Sequence, residues 1–228
     1  MGHKPSIPNT PMASDLADFG PPVAPDFLAD EVLEVAPRLL GLVVTSNVDD
    51  ELVALRITEV EAYQGEGLDP GSHAFRGKTA RNASLFESAG HLYVYRSYGI
   101  HWCGNIVTGV RGKASGILLR AGEIIHGQRI ARARRNATGV VKRDVDLARG
   151  PGRLGSALAL GPEFNGVLVT GTSPITLHVP TDRPAVVVAQ STRTGIAGPG
   201  SVHPYRFYIT DDPTVSPHRP VIPKSTQP

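Results

Sequence analysis

Leu52-Val53-Ala54-Leu55-Arg56-Ile57-Thr58-Glu59-Val60-Glu61-Ala62-Tyr63 is the stretch on which the fold turns. Its residues repeat with period two, the mark of a β-strand rather than a helix. Strict alternation places Leu55, Ile57, Glu59, Glu61 and Tyr63 on one face, and Arg56, Thr58, Val60 and Ala62 on the other. Leu55 and Ile57 belong in a core, so Glu59 and Glu61 start near that core and run toward its edge. A carboxylate in such a place is either paired or chemically active. With two of them, one is expected to pair with an arginine and one to do chemistry; alternation treats them alike.

Upstream of this strand, Leu28, Val32, Val35, Leu39 and Leu42 fall at helical spacing, and Pro37 should split that run into two short helices. Downstream, residues 64–84 are rich in glycine and polar residues and read as a loop. Strand patterns follow at Leu92–Arg96, Trp102–Val107 and Ser115–Leu119. Gly122–Arg135 reads as a helix, 136–150 as a basic loop, and Gly152–Leu160 as a short helix. Val167–Thr170, Ile175–Val179, Ala185–Gln190 and Arg206–Thr210 complete the set of expected strands. Residues 1–25, rich in Pro, Ser and Gly, and 217–228, with four prolines, read as disordered tails. Nothing divides 26–216. The expectation is one compact α+β domain with a mostly antiparallel sheet.

The chain of 228 residues is long enough to bury a sizeable core, and its 40 % hydrophobic and 19 % charged content is that of a soluble globular protein. No apolar run approaches the about 18 residues of a membrane helix, and the N-terminus lacks the apolar core of a secretory signal. Cys103 is the single cysteine, which excludes an internal disulfide and points to a reducing compartment. Net charge is +2, unevenly spread. Acids cluster over Asp49–Asp69, while Arg129, Arg132, Arg134, Arg135, Lys142, Arg143, Arg149 and Arg153 form a basic stretch suited to a polyanion.

Tyr93-Val94-Tyr95-Arg96-Ser97-Tyr98-Gly99 puts Tyr93 and Tyr95 on one strand face and leaves Tyr98 in a turn. Tyrosines at strand spacing are ordinary sheet residues, but a ring in a turn beside glycine is hard to bury. Flat rings beside a carboxylate can sandwich a nucleobase. His73, His101 and Cys103 could hold zinc, yet no Cys-x-x-Cys or His-Glu-x-x-His spacing supports it, so no metal is expected. Gly150-Pro151-Gly152-Arg153-Leu154-Gly155 matches a dinucleotide fingerprint in letters but follows a loop instead of a strand. No Walker loop or nucleophile elbow occurs.

In their order along the chain, several pieces resemble the alkyladenine (3-methyladenine) DNA glycosylase family. These are Glu59-Val60-Glu61-Ala62-Tyr63, His73, Thr79-Ala80-Arg81-Asn82, Gly90-His91-Leu92-Tyr93-Val94-Tyr95-Arg96-Ser97-Tyr98-Gly99 and Asn105-Ile106-Val107. Further on come Leu118-Leu119-Arg120-Ala121, Leu147-Ala148-Arg149-Gly150-Pro151-Gly152-Arg153-Leu154, Arg193-Thr194-Gly195-Ile196 and Arg206-Phe207-Tyr208-Ile209. The resemblance spans about Ala29–Ser216.

It implies a single domain with a curved antiparallel sheet, and excision of alkylated or deaminated purines from double-stranded DNA. It implies Glu61 as the general base that activates water, with Arg120 positioning the water or backbone beside it. It implies a base pocket of Tyr63, His73, Tyr95, Asn105 and Leu118, with Asn105 crowding the amino group of normal guanine. Tyr98 becomes the wedge that fills the gap in the stack, and Arg81, Arg149 and Arg153 contact the DNA backbone. No lysine adjoins the Glu61 strand to form a Schiff base, so a monofunctional enzyme without cofactor is expected, leaving an abasic site. The same reading makes it a monomer off the membrane, cytoplasmic at a bacterial nucleoid or nuclear in a eukaryote. The competing reading is a non-catalytic nucleic-acid-binding module, which leaves the carboxylate without purpose; a zinc hydrolase ranks below both.

Overall fold

A computed structural model describes residues 16, 18–137, 139–171 and 173–218. Eight strands form one antiparallel sheet: β1 (Val43–Val48), β2 (Glu51–Tyr63), β3 (Leu92–Ser97), β4 (His101–Ile106), β5 (Gly116–His126), β6 (Ile175–His178), β7 (Val188–Ser191) and β8 (Arg206–Ile209). Three α-helices that lie wholly among the described residues accompany them: α1 (Val32–Arg38), α2 (Gln128–Asn136) and α3 (Pro151–Ala157). The result is the expected α+β domain. The sheet runs β3-β4-β5-β2-β1-β6, and β8 joins the far half of β2 and carries β7. Thus β2 is the hub: β5 lies along one side, β1 and then β8 along the other.

The alternation of β2 does not run unbroken. Register shifts between Ile57 and Glu59 and between Glu59 and Val60 mark a bulge against β5. A bulge inserts one residue and reverses which parity faces inward. Leu55 and Ile57 lie in the main core before it, and Val60 and Ala62 lie in the same core after it. Glu59 and Glu61 therefore do not continue the face of Leu55 and Ile57. They are turned to the opposite side, which a strict period of two could not foresee.

Other elements differ from expectation for physical reasons. β1 was not anticipated, because Thr45, Ser46 and Asn47 make it look polar. In the fold Ser46 Oγ donates to Leu158 O at 2.6 Å, and Thr45 Oγ1 lies 3.0 Å from His178 Nε2. These partners let polar side chains be buried in a strand. β5 runs on to His126, so the expected helix from Gly122 begins only at Gln128. Gly122 is needed as strand, since a Cβ there would lie 2.5 Å from Arg56 O. Pro37 does not split the helical run: it lies inside the last turn of α1, where a helix tolerates the loss of one N–H bond near its end, and the other helical piece, a 3₁₀ turn at Pro25–Leu28, lies upstream. Val167–Thr170 contributes only a bridge, Leu168 to His91.

Of the expected N-terminal tail, 1–15 and 17 lie outside the described residues. Residues 18–25 pack along β6: Val23 is buried and its N–H donates to Leu177 O at 2.8 Å. Of 217–228, only 217 and 218 are described. No helix among the described residues is long and apolar enough to cross a membrane.

α3 seats directly on β4. A Cβ at Gly155 would lie 2.0 Å from Trp102 O, and one at Gly152 would lie 2.7 Å from the His101 ring. These glycines of the fingerprint-like run serve helix–strand approach. Arg149 and Arg153, just before and within the first turn of α3, line one depression with Arg120 and Thr194.

Candidate active site

The outward parity after the bulge sets a row of side chains across four strands. Glu61 on β2 pairs with Leu118 on β5, Leu118 with Asn105 on β4, and Asn105 with Tyr93 on β3. Directly paired residues share a face of the sheet, so the candidates from three separate motifs converge. One step along, Tyr63 pairs with Gly116, whose missing side chain leaves space: a Cβ there would meet Leu85 at 2.9 Å.

A cleft opens beside this row, lined by Tyr63, His73, Tyr93, Tyr95, Asn105 and Ile196, among others. Tyr93 and Tyr95 stack at 5.5 Å and 17°. The His73 ring stands edge-on to Tyr95 at 4.6 Å, and its Nδ1 lies 3.1 Å from Tyr93 Oη. Burial, helped by the Arg81 cation, holds the His73 pKa below the usual histidine value, so the ring is neutral at pH 7. Asn105 is buried and donates Nδ2 to Tyr93 O at 3.3 Å. Leu118, within the row between Glu61 and Asn105, is buried and is not among the residues that line the cleft.

The two carboxylates differ sharply in how full they are. Glu59 takes four hydrogen bonds: from Arg120 Nε at 2.8 Å, Arg206 Nε at 2.6 Å, Ser216 N at 2.7 Å and Ser216 Oγ at 3.0 Å. Three of these fall on Oε1 and one on Oε2, so the group is committed to holding two arginines and the Ser216 segment. Glu61 takes two: Tyr63 Oη donates to Oε2 at 2.8 Å and Thr194 N to Oε1 at 2.7 Å, with Arg120 Nε 3.5 Å from Oε1. Each oxygen of Glu61 thus takes a single, uncharged donor within hydrogen-bond distance. Burial, reinforced by Glu61, pushes the Tyr63 pKa well above the usual tyrosine value. The phenol thus stays protonated and keeps donating.

Glu61 itself is sealed, and its partners open on two sides. Tyr63 lines the aromatic cleft. Arg120 and Thr194 line a second depression together with Arg149, Gly150, Arg153 and Ser216. Arg149 is tied down by Nε donating to Val215 O at 2.8 Å, and Arg153 reaches only to 3.8 Å from Asp146. This second depression concentrates positive charge beside the carboxylate.

Tyr98 sits at the tip of the β3–β4 hairpin, where Ile100 N donates to Ser97 O at 3.0 Å across the turn. Tyr98 and Gly99 both have positive φ, 49° and 68°, as a hairpin turn of this hand requires. Its ring is 90 % exposed, an unusual place for a large aromatic unless it meets something else. Arg81 is also exposed, in the loop that carries His73.

His73, His101 and Cys103 are not brought together as a metal set, and no group of three such ligands occurs among the described residues. Cys103 is buried and its thiol is pushed up to about 11 by burial.

Several contributors were not picked out one by one from the sequence. Thr194 acts through its backbone N–H, which no side-chain pattern reveals. Leu85, Gly116 and Ile196 shape the cleft as bulk or as missing bulk. Arg193-Thr194-Gly195-Ile196 was visible as a motif without a role, and that was its signal.

Residues 26–213 match the methylpurine-DNA glycosylase family. A protein of Streptomyces avermitilis with the provisional name 3-methyladenine DNA glycosylase is 47 % identical over 205 residues, covering 89 % of this chain and 94 % of its own. One from Leifsonia xyli subsp. xyli, similarly named, is 45 % identical over 209 residues, covering 91 % of this chain and 97 % of its own. A third such protein, from Nocardia farcinica, is 42 % identical over 189 residues, covering 81 % of this chain and 85 % of its own. With the ordered motifs, the cleft and the match over most of its length, the chain belongs to the methylpurine-DNA glycosylase family of DNA repair enzymes.

Proposed function

We propose that this enzyme swings an alkylated or deaminated purine nucleotide out of duplex DNA and hydrolyses its N-glycosidic bond, with Glu61 as general base. The carrying observation is the contrast between Glu59, engaged by two arginines and the Ser216 segment, and Glu61, held by one neutral donor at each oxygen, one of them a tyrosine of the aromatic cleft.

An intact duplex hides the glycosidic bond, and extruding the nucleotide costs a few kcal/mol. The exposed Tyr98 ring at the hairpin tip enters the vacated place in the stack and recovers part of that cost. The base enters the cleft against Tyr63, Tyr95 and His73. A purine alkylated on a ring nitrogen is often cationic, and an electron-poor ring stacks well on tyrosine faces. Asn105, fixed to Tyr93 O, meets the base edge and crowds the amino group of ordinary guanine. Leu118 packs within the row between Glu61 and Asn105. Arg81, Arg149 and Arg153 hold phosphates.

Glu61 accepts a proton from water. The water oxygen forms a bond to C1′ of the sugar, and the C1′–N bond breaks with its electron pair leaving on the base. A cationic alkylated base departs neutral and needs no general acid; a neutral deaminated base departs as the anion and takes its proton from solvent. The proton passes from Glu61 to solvent, and the products are the free base and an abasic site. Arg120, anchored on Glu59, orients the water or the adjacent backbone. With no lysine on β2 or β5, no Schiff base forms and the strand is left uncut. The protein works as a monomer, without cofactor, in the cytoplasm at the nucleoid.

The test is base release from duplexes that each carry one defined lesion, with wild type and Glu61→Gln side by side. The expected result is abasic sites from wild type only, with damaged-DNA binding kept in the variant. A variant that releases base at the wild-type rate removes Glu61 from this role. A wild type that binds every duplex but yields no abasic site leaves a nucleic-acid-binding module instead.

A further inference from the structure

We infer that Arg193, locked to Asp69, is the positioning residue that aims Glu61, a role that rests on the reading of Glu61 as general base. Both oxygens of Glu61 are held by groups whose places depend on Arg193. Tyr63, which donates to Oε2, lies beneath the Arg193 guanidinium, with Cζ 4.4 Å from the ring centroid. Thr194, whose N–H donates to Oε1, is the next residue in the chain.

The guanidinium is itself immobile. Nη1 and Nη2 form a two-pronged pair with Asp69 at 2.6 and 2.7 Å, Nη1 also donates to Ala62 O at 2.9 Å, and Nη2 to Gly200 O at 3.0 Å. Neither side chain of the pair is exposed. The surroundings are shaped to admit it: a Cβ at Gly71 would lie 2.6 Å from Nη2. Asp69 in turn accepts from Gln64 N at 3.2 Å and Gly71 N at 2.9 Å, which ties down the loop that delivers His73 to the cleft.

Two features speak against a purely structural pair. Arg193 Nε is buried with no partner, so the placement sacrifices a hydrogen bond while keeping the cation over Tyr63. A buried pair is also weak evidence of stability, since apolar replacements often do as well. What apolar replacements cannot reproduce is the fixed direction of the Tyr63 hydroxyl and the Thr194 amide. Small errors in the placement of a general base are costly in rate.

Removing Arg193 alone strands Asp69 and risks unfolding, so the test uses the double variant Asp69→Leu/Arg193→Met, together with Arg193→Lys. Lys keeps the charge and loses the planar fork. Two quantities are read: the single-turnover rate of base release at saturating enzyme on methylated duplex DNA, and the Kd for a duplex with an abasic site. The expected result is a rate ~10- to 100-fold lower with a nearly unchanged Kd, a split that a general loss of structure would not give. A wild-type rate in the folded variants overturns the inference. So does a loss that disappears at saturating enzyme. If the double variant does not fold, Arg193→Lys decides by the same criteria. A wild type that releases no base overturns the general-base reading as well, which separates the two failures.

Discussion

Arg120 Nε lies 2.8 Å from Glu59 Oε1 and 3.5 Å from Glu61 Oε1, so the arginine belongs to the first carboxylate and only neighbours the second. Two glutamates that sequence alternation could not distinguish are divided by this difference. Glu59 also gathers Arg206 from β8 and the backbone of Ser216. It joins β2, β5, β8 and the C-terminal segment in one buried network.

Glu59→Ala should therefore act on the fold. It leaves Arg120 and Arg206 buried without a counter-charge, a loss of about 3–5 kcal/mol. Chemical denaturation should show that loss, while Glu61→Gln, which keeps the shape and one acceptor, should cost far less. A Glu59→Ala protein as stable as Glu61→Gln would refute this division of labour.

Tyr63→Phe isolates one hydrogen bond. The ring still fills the space under Arg193, but Glu61 Oε2 loses its donor. A hydrogen bond to a charged group is worth about 1.5–3 kcal/mol. Part of that should appear as a slower single-turnover rate. Unchanged kinetics would mean that the phenol hydroxyl does not act on Glu61.

Tyr98→Ala should leave the melting temperature nearly unaltered, since the ring is 90 % exposed and touches no core. Binding to lesion-bearing duplex should weaken, by about 1–3 kcal/mol for a lost stacking partner. A fluorescent base analogue next to the lesion should report less unstacking. Equal unstacking by variant and wild type would remove the wedge role.

Acid should weaken the fold through His178. Its Nδ1 lies 2.9 Å from Gly20 O and its Nε2 3.0 Å from Thr45 Oγ1, and burial, partly opposed by the Gly20 contact, lowers its pKa. The folded protein thus binds a proton less readily than the unfolded chain. Stability is full above the ordinary histidine range, near pH 6.5, and declines as pH falls below it. His73, lowered in the same direction, adds to the slope. Replacing His178 with Gln should flatten the dependence of melting temperature on pH between about 7 and 5. A slope equal to wild type would assign the effect elsewhere.

Much of the sheet was legible because its strands obey short-range rules. β3, β4 and β6 appear where apolar and polar residues alternate, and Tyr98-Gly99 announces a turn by its chemistry. β1 was illegible because Thr45 and Ser46 become tolerable in a core only through partners more than a hundred residues away. The start of α2 was misplaced because Ile124 and Ile125 fit a helix locally, whereas pairing with β2 holds Ile124 in a strand.

The chain by itself named the candidate residues, since motifs in a given order are a property of sequence: Glu61, Tyr63, His73, Tyr95, Tyr98, Asn105 and Arg120 could all be proposed from it. Only the folded molecule decided their division of labour. The bulge at Ile57–Val60 turned both glutamates away from the main core. Arg206, Ser216, Thr194 and Arg193 then arrived from distant parts of the chain to fill one carboxylate and aim the other. How many donors a carboxylate receives depends on where remote segments come to lie, and no local pattern encodes that.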